Sequence, residues 1–401
     1  MVNQKIKNLK FPTWPTFDED EEKILLEVLR SRKWWCGAPK APEGKFVWQF
    51  QEEFAKFQGA KCCIAVANGT VAIESALYAL GVGLGDEVIV SDYTFVASAS
   101  AIVATNAVPI FCDINPDTFV MDVNKLDELM TERTKAIVPV HLGGNPVEMD
   151  TLMEFAEKNN LYVVEDCAHA HGSCYKGKKL GNWGHSGTFS FQASKVLTSG
   201  EGGAIICNSN QLADEIYNYV DCGRIKGRKS YEHFSYGTNY RMTEYQAAIL
   251  LAQMKKFEKQ HKHRNENARY LSKHLNEING VKVMNPTQGT STLGWYVFPF
   301  KFEPSKFGLN KTQFNAKLQE QGIPHVDNYP PLHGLACFKN IKLKSGIDYS
   351  KANWGGNKSN DENFPIVSDI YSKSIEFPQE ILLASTKELD FIVDFIKSLR
   401  N

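Results

Sequence analysis

Between residues 46 and 220, short apolar runs of the strand type alternate with helical patterns of about ten residues. The strand patterns cover 62–66, 87–90, 109–112, 136–140 and 162–164. The helical patterns between them cover 47–58, 71–80, 97–104, 123–130 and 149–158. Such alternation requires crossover connections, which are right-handed and give parallel strands. The sequence therefore predicts an α/β fold with a mostly parallel sheet and helices on both faces.

The segments outside this alternation predict three further parts. Residues 1–20 are polar and rich in proline, which favours an arm without globular structure, and a helical pattern follows at 21–31. A long helical pattern at 243–278 leads to a smaller α+β domain, with a strand at 296–300 and helices at 311–321 and 386–399. The predicted division is an arm (1–20), a large domain (21–260) and a small domain (261–401).

The charge balance excludes several classes of partner. There are 45 Lys and Arg residues against 46 Asp and Glu, so neither a nucleic acid nor a polybasic membrane contact is expected. No apolar run approaches the roughly 18 residues of a membrane span, and the N-terminus lacks the apolar core of a signal peptide. Nine cysteines without a C-x-x-C pair favour a reducing, cytoplasmic setting and no metal site.

Polar residues follow the predicted strands at their carboxyl ends, where ligands bind in open α/β sheets. Asn68-Gly69-Thr70 follows the first strand and opens a helix, which suits a phosphate, although these residues taken alone favour a plain helix cap. Phe95 follows the second strand and could stack on a flat ligand or simply belong to the core.

Two later strands are followed by ionisable residues. His141 follows the fourth strand, and Asp166, His169 and His171 follow the fifth. An acid directly after a buried strand needs a partner, and a protonated pyridine nitrogen is one. The alternatives are a helix cap for Asp166 and ordinary loop histidines, and the spacing does not support a metal site.

Lys195 lies between a strand pattern at 188–191 and another at 204–207, beside the glycine-rich turn 200–203. A desolvated lysine there could form an imine, although most lysines beside glycines lie in solvated loops. The phosphate turn, aromatic ring, acid and lysine fall in order along the chain. Together they are the parts needed to hold pyridoxal 5′-phosphate (PLP) and use it as an electron sink.

These motifs are similar to those of the DegT/DnrJ/EryC1/StrS family of sugar aminotransferases. The likeness extends over nearly the whole chain, through 68–70, 85–90, 94–95, 139–142, 165–172, 189–203 and 237–243. The resemblance implies the fold of aspartate aminotransferase (fold type I), with a large sheet of the seven-stranded type and a small C-terminal domain. It also implies PLP as the cofactor and transamination as the reaction.

The resemblance assigns roles to individual residues. Lys195 would form the imine with PLP and move protons, Asp166 would pair with the pyridine nitrogen, and Phe95 would stack on the ring. The phosphate would be held by Gly69, Thr70 and Ser190. His169 would lie near the phenolic oxygen of the ring. Asn239 would reach the phosphate of a neighbouring subunit, which implies a homodimer with shared active sites.

The substrate side of the resemblance is less typical. Many sugar-nucleotide members have histidine where this chain has Gln192, and the loop 38–46 looks longer than usual. Gln192, Trp35 and His169 resemble the branch of 3-amino-5-hydroxybenzoate synthases and glutamine-dependent scyllo-inosose aminotransferases. Other expected substrate contacts are His141, Tyr329 and His333.

The resemblance thus implies transfer of an amino group from glutamate or glutamine to a keto sugar, sugar nucleotide or keto-cyclitol. Within the family, a lysine at position 195 argues against the dehydratase branch, which has histidine there. Two alternatives stay open: a PLP-binding sensor without turnover, and a synthase of the aminohydroxybenzoate type. A dinucleotide-dependent oxidoreductase is disfavoured because no G-x-G-x-x-G opens the first strand–helix unit.

Overall fold

The structure is a computed structural model that describes residues 10–36, 45–226, 232–339 and 363–400. Its strands, in chain order, are β1 (Cys62–Val66), β2 (Glu87–Ser91), β3 (Val108–Cys112), β4 (Thr134–Val138), β5 (Tyr162–Asp166), β6 (Cys174–Tyr175), β7 (Lys178–Lys179), β8 (Ser186–Ser190), β9 (Gly203–Cys207), β10 (Val281–Val283), β11 (Thr290–Thr292), β12 (Val297–Phe302) and β13 (Ser374–Pro378).

The helices are α1 (Glu19–Ser31), α2 (Phe46–Gln58), α3 (Gly69–Ala79), α4 (Ala97–Ala104), α5 (Leu126–Leu129), α6 (Met149–Lys158), α7 (Asn210–Val220), α8 (Glu244–Asn276), α9 (Pro304–Phe307), α10 (Lys311–Glu320), α11 (Ala336–Lys339), α12 (Pro365–Lys373) and α13 (Thr386–Ser398). The helix expected at 123–130 is a 3₁₀ turn, Val123–Lys125, that continues into the short α5. No helix in the described ranges combines the length and apolar character that crossing a lipid bilayer requires.

Seven strands form the large sheet in the order β1-β9-β8-β5-β4-β2-β3. Neighbouring strands from β8 through β3 pair in parallel, whereas β9 runs antiparallel to both β1 and β8. Every residue of β2, β8 and β9 is buried, as expected of strands covered on both faces by helices. The predicted α/β fold with a mostly parallel sheet is confirmed.

The C-terminal part contains a separate antiparallel sheet in the order β10-β12-β13. Its phenylalanines pack against one another, with the rings of Phe300 and Phe377 5.2 Å apart. The sequence pattern missed β13, because its sequence Ser-Ile-Glu-Phe-Pro combines a charge and a proline, which are both depleted in strands. It also missed α7 and a small sheet of β11, β6 and β7.

One continuous helix, α8, connects the two sheets. It begins with Thr243, whose hydroxyl accepts a hydrogen bond from the Gln246 amide while the Gln246 side chain accepts one from the Thr243 amide. The helix runs for 33 residues, so the predicted domain limit after residue 260 falls within it. The exact division of the chain into domains stays a prediction.

An arm without globular structure was expected over 1–20, but residues 10–20, the described part of it, pack on the body of the protein. The Trp14 indole N–H donates to the Lys195 carbonyl oxygen at 3.1 Å, and the Gln253 amide donates to the Thr16 carbonyl oxygen at 2.8 Å. Helix α1 begins at Glu19, two residues before the predicted start, because the Asp18 side chain caps it. Most of the loop expected at 38–46 lies outside the described residues.

Gly187 on β8 allows this strand to pack closely against the backbone of Gly181. A Cβ atom at this position would lie 2.2 Å from the Gly181 Cα, a backbone atom that cannot move aside like a flexible side chain. Gly83 is a matched comparison, because a Cβ there would meet only the Thr105 carbonyl oxygen at 3.7 Å.

We expect Gly187→Ala to destabilise the protein by about 3 kcal/mol, because overpacking a rigid interior forces the backbone apart. Gly83→Ala should change the stability by less than about 0.5 kcal/mol, as surface substitutions usually do. Thermal unfolding of the two variants beside the parent protein measures both effects. Equal melting temperatures for all three proteins would contradict the role given to Gly187.

Candidate active site

The carboxyl ends of the parallel strands bring several of the predicted site residues to one edge of the large sheet. Strand β5 ends at Asp166 and its parallel neighbour β8 ends at Ser190. Strand β1 ends at Val66 and leads into the turn before α3. The loop after β8 carries Lys195 back over this edge.

Lys195 has a buried side chain, of which only 8% is exposed. Its ammonium nitrogen lies 3.8 Å from the centre of the Tyr296 ring. Burial lowers the pKa of Lys195 to about 7, although the nearby charge of Asp166 acts in the opposite direction. Near neutral pH a large share of this amine is therefore unprotonated and nucleophilic.

Asp166 is held by two hydrogen bonds. Its Oδ2 accepts from the Ser98 hydroxyl at 2.7 Å, and its Oδ1 accepts from the Ala168 backbone N–H at 3.1 Å. Ser98 belongs to α4, which starts directly after the aromatic turn that follows β2. The carboxylate is thus oriented by two neighbouring elements and retains lone pairs for a further donor.

Glu165 points to the opposite face of the same strand, as successive residues of a strand do. Its two oxygens accept from the backbone N–H groups of Gly181, Trp183 and Gly184 at 2.7–2.8 Å. His141 Nε2 lies 3.1 Å from Glu165 Oε2. Glu165 therefore fixes the loop between β7 and β8 against β5.

This arrangement corrects the expected substrate contact of His141. The imidazole is completely buried, bonds to Glu165 and accepts from the Val147 backbone N–H at 3.2 Å. His141, Glu165 and Cys167 form a compact group of potential metal ligands among the described residues. The Glu165 oxygens are, however, already occupied by four protein donors, so the group serves as a structural anchor.

His169 is a neutral imidazole of defined orientation. Burial and the neighbouring Lys195 hold its pKa well below the usual value. Its Nδ1 accepts from the Gly143 backbone N–H at 3.2 Å, which places the proton of the neutral ring on Nε2. That Nε2 lies 3.5 Å from the Tyr329 hydroxyl, and the ring lies 4.1 Å from that of Tyr296.

The turn before α3 forms a tight cradle beside the end of β8. Asn68 caps the helix by accepting from the Val71 backbone N–H at 3.0 Å. A Cβ on Gly69 would lie 2.8 Å from the Ser190 Cβ, and one on Gly203 would lie 2.3 Å from the Asn68 carbonyl oxygen. The first amides of α3, including that of Thr70, have no partner within the helix and suit an anion.

Aromatic rings extend the site outward from His169. The Tyr329 ring lies 6.0 Å from the His169 ring and 5.8 Å from the Phe95 ring. Phe95 is 52% exposed, so its face is open to a ligand rather than used by the core. This exposure favours a ligand contact for Phe95 over a place in the core. Stacking of the ring on a cofactor stays a prediction.

A cavity of about 390 Å³ opens beside these rings, within the usual range for small-molecule sites. It lies between the loop that carries Lys195, the N-terminal segment and the small C-terminal sheet. Its described lining residues are Trp14, Pro15, Gln192, Ala193, Ser194, Tyr296, Val297, Val326, Asp327, Tyr329, Glu376, Pro378, Gln379 and Glu380. Gln192 and Tyr329, both expected substrate contacts, are therefore among them.

Two other expected substrate residues lie elsewhere. His333 is buried between Asp92 and the ring of Phe364, and its Nδ1 lies 2.5 Å from Asp92 Oδ2. This position corrects the expected contact of His333 with the substrate. Trp35 is half exposed, with its ring 5.5 Å from the Arg241 guanidinium carbon, and is not part of the described cavity lining. Its substrate role stays a prediction.

Asn239, expected to serve a neighbouring subunit, lies on the surface. Its neighbour Tyr240 accepts a hydrogen bond from the Ala67 backbone N–H at 2.8 Å, close to the phosphate turn. The Asn239 side chain makes no hydrogen bond within the described ranges.

Several residues of the site were missed from the sequence. Tyr296 was assigned only to a strand, and Ser98 only to a helix. Ser98 could have been found, because it lies one helical turn after the aromatic turn and faces the same strand edge. Trp14 and Glu376 carried no comparable signal, since their place depends on how the arm and the small domain pack.

The chain is similar to known proteins along most of its length. The DegT/DnrJ/EryC1/StrS aminotransferase family matches residues 15–359. An L-glutamine:2-deoxy-scyllo-inosose aminotransferase from Streptoalloteichus tenebrarius is 37% identical over 82% of this chain and 80% of its own length. The enzyme of the same description from Streptomyces lividus is 36% identical, with 82% and 80% covered.

Among solved structures, that of 3-amino-5-hydroxybenzoic acid synthase is similar over 97% of this chain and 98% of its own, with a TM-score of 0.87 and 31% identity. The structure of S. venezuelae DesV in complex with a ketimine intermediate has a TM-score of 0.80 at 26% identity, covering 95% of this chain and 94% of its own.

The burial of Lys195 predicts a distinctive pH dependence. In the protein without cofactor, brief trace acetylation of Lys195 by acetic anhydride should rise through pH 7 and level off by about pH 8. Exposed lysines as a class, with an ordinary pKa of about 10.4, should keep gaining reactivity to much higher pH. Mass spectrometry of the digested protein measures each lysine separately. A Lys195 profile that follows the exposed lysines would show that the amine is not desolvated.

Proposed function

Because the chain belongs to the DegT/DnrJ/EryC1/StrS aminotransferase family, we propose that Lys195 holds PLP and serves transfer of an amino group from L-glutamine to a keto-cyclitol or keto sugar. The protein is an aminotransferase of the PLP-dependent type, with a keto sugar or cyclitol as acceptor. The observation that carries the residue assignment is the buried amine of Lys195 beside Asp166.

The site residues fit PLP in both charge and shape. The cradle of Gly69 and Ser190 has no room for a further side-chain atom and opens on the free amides of α3, as a phosphate requires. Asp166 has a lone pair left for a protonated ring nitrogen. His169 carries its proton on Nε2, beside the Tyr329 hydroxyl, and we assign this N–H the contact with the phenolic oxygen.

When bound, PLP supplies an electron sink that stabilises a carbanion at the substrate carbon. Asp166 supports this role by keeping the pyridine nitrogen protonated. Lys195 Nζ acts as the base: it accepts a proton from the donor α-carbon and later gives one to the carbon that becomes the new amine carbon. The low pKa of Lys195 suits both steps, because neither protonation state is strongly favoured near neutral pH.

The glutamine donor is proposed from the names of the relatives, which are L-glutamine-dependent scyllo-inosose aminotransferases. The cavity supports small polar substrates, since Gln192, Ser194 and the two tyrosines present hydrogen-bonding groups around it. A synthase of the aminohydroxybenzoate type is the second candidate, favoured by the structural similarity to that enzyme over nearly the whole chain.

We also propose that the active unit is a homodimer in which Asn239 of each subunit reaches the other subunit's phosphate. The side chain of Asn239 is exposed and makes no hydrogen bond within the described ranges, so it is open to a second subunit, which supports this. A cytoplasmic location is proposed as well, because all nine cysteines are free thiols, as is usual in reducing compartments.

We expect the protein loaded with PLP to show the absorbance of a lysine-bound cofactor and to lose it on addition of L-glutamine. A keto-cyclitol such as scyllo-inosose should restore it, whereas an aminohydroxybenzoate-type synthase would require an aromatising substrate. Lys195→Ala should lack the initial band and lose at least about 1,000-fold in turnover, because it removes both the attachment and the base. A normal band that no amino donor bleaches would favour the PLP-binding sensor.

Shared active sites predict complementation between two variants that each impair the site. Mixed dimers of Lys195→Ala and Asn239→Ala contain one site with both defects and one site with neither, if Asn239 serves the other subunit. We therefore expect activity to return on mixing, to at most about a quarter of the parent value for random pairing. If Asn239 serves its own subunit, each mixed dimer has two defective sites and no activity returns.

A further inference from the structure

One wall of the cavity is formed by carboxylates from the C-terminal part of the chain. Glu376 lies on β13, and Glu380 lies on the 3₁₀ turn Gln379–Leu383 that follows it. Asp327 is brought alongside by the backbone bond from the Val326 N–H to the Glu376 carbonyl oxygen, at 3.0 Å. The three acids thus face the loop that carries Gln192 and Lys195.

No lysine or arginine is among the described residues that line this cavity. Phosphate groups are recognised by arginine and lysine side chains or by backbone amides at helix ends. A phosphate or diphosphate placed here would instead face three carboxyl groups, which repel it. The wall is complementary to groups that donate hydrogen bonds and carry no negative charge.

Among the three acids, Glu376 has an oxygen that is available to accept a further hydrogen bond. Its side chain is almost completely buried, and its Oε1 accepts from the Tyr93 hydroxyl at 2.7 Å and the Asn328 amide at 3.3 Å. Its Oε2 makes no hydrogen bond with any described residue. This oxygen is not among the buried polar atoms that lack a partner, so it is open to a donor from a ligand or from water.

We propose that Glu376, with Asp327 and Glu380, recognises hydroxyl or ammonium groups of the amino acceptor, so that the acceptor is a free polyhydroxylated ketone without phosphate or nucleotide. This inference rests on the proposed function and names its substrate class. Glu376 is the specificity-determining residue, because its Oε2 takes the hydrogen bond that the protein leaves open.

The ionisation of Glu376 gives a second signature. Burial raises its pKa to about 7, while the bond from Tyr93 and the charge of Lys311 act in the opposite direction. Burial raises the pKa of Tyr329, and the charges of Tyr296 and Glu376 act in the same direction. Below pH 7 the carboxyl group of Glu376 is protonated and accepts hydrogen bonds more weakly. Binding of the keto substrate therefore weakens as the pH falls.

The decisive variant is Glu376→Gln, which keeps an oxygen for Tyr93 and Asn328 but removes the negative charge. We expect kcat/KM for a free keto-cyclitol to fall at least tenfold, mainly through KM, and the rise of KM below pH 7 to disappear. The half-reaction with L-glutamine should change by less than twofold. Asp214→Asn, an exposed acid on α7 outside this cavity, is the matched control and should leave both half-reactions unchanged.

Acceptors of three kinds separate the substrate classes: scyllo-inosose, its phosphate ester and a nucleotide-linked keto sugar. The parent protein should use the free compound at least 100-fold better than either charged one. A keto-cyclitol that carries an amino group shows whether Glu376 binds an ammonium or a hydroxyl group. In Glu376→Gln, kcat/KM should fall more for the amino-bearing substrate than for the substrate that carries only hydroxyl groups. Higher kcat/KM for a phosphorylated or nucleotide-linked acceptor would overturn the proposal, as would an unchanged KM in Glu376→Gln.

A binding measurement tests the wall without turnover. Titration of the PLP-loaded protein with scyllo-inositol, followed by tryptophan fluorescence, reports on the cavity because Trp14 lines it. Binding should be at least tenfold weaker in Glu376→Gln and unchanged in Asp214→Asn; equal binding in all three proteins would overturn the inference. If glutamine bleaches no cofactor, the proposed function fails, yet this titration still decides the inference.

Discussion

The burial of the Lys195 amine is the constraint on which the rest of the site depends. An ammonium group that is removed from water is costly, so the lysine gives up its proton more easily and becomes a base and nucleophile near neutral pH. The dry environment is assembled from distant parts of the chain. Tyr296 covers the amine from the small domain, and Trp14 of the N-terminal segment bonds to the carbonyl of the same residue.

Strand β5 carries two adjacent acids, one with a structural role and one with a place in the site. Glu165 faces the loop before β8 and satisfies three backbone amides, whereas Asp166 faces the site. A shift of one residue in the register of β5 would exchange these faces and remove both functions at once. The parallel pairing of Asp166 with Thr188 on β8 therefore fixes the acid relative to the loop that carries Lys195.

The sequence was sufficient for the large sheet and for the residues that sit at its strand ends. Lys195, Asp166 and His169 come together because parallel strands end at one edge, a rule that needs only strand positions. The rule gives no side-chain direction, which is why His141 was expected in the site although it points into the protein. His333, which is also buried, was expected from the family resemblance alone. It also gives no information on Tyr296, Trp14 or Glu376, because their position depends on how separate parts of the chain pack together.

The same position in front of Lys195 has to accept two chemically different molecules in turn. An amino acid donor carries an α-carboxylate, which the acidic wall of Glu376, Asp327 and Glu380 would repel. A polyhydroxylated acceptor has no such group and can lie against that wall. The donor must therefore direct its carboxylate away from the small C-terminal sheet. A single cavity can thus discriminate between donor and acceptor by orientation, with charge on one wall as the physical cause.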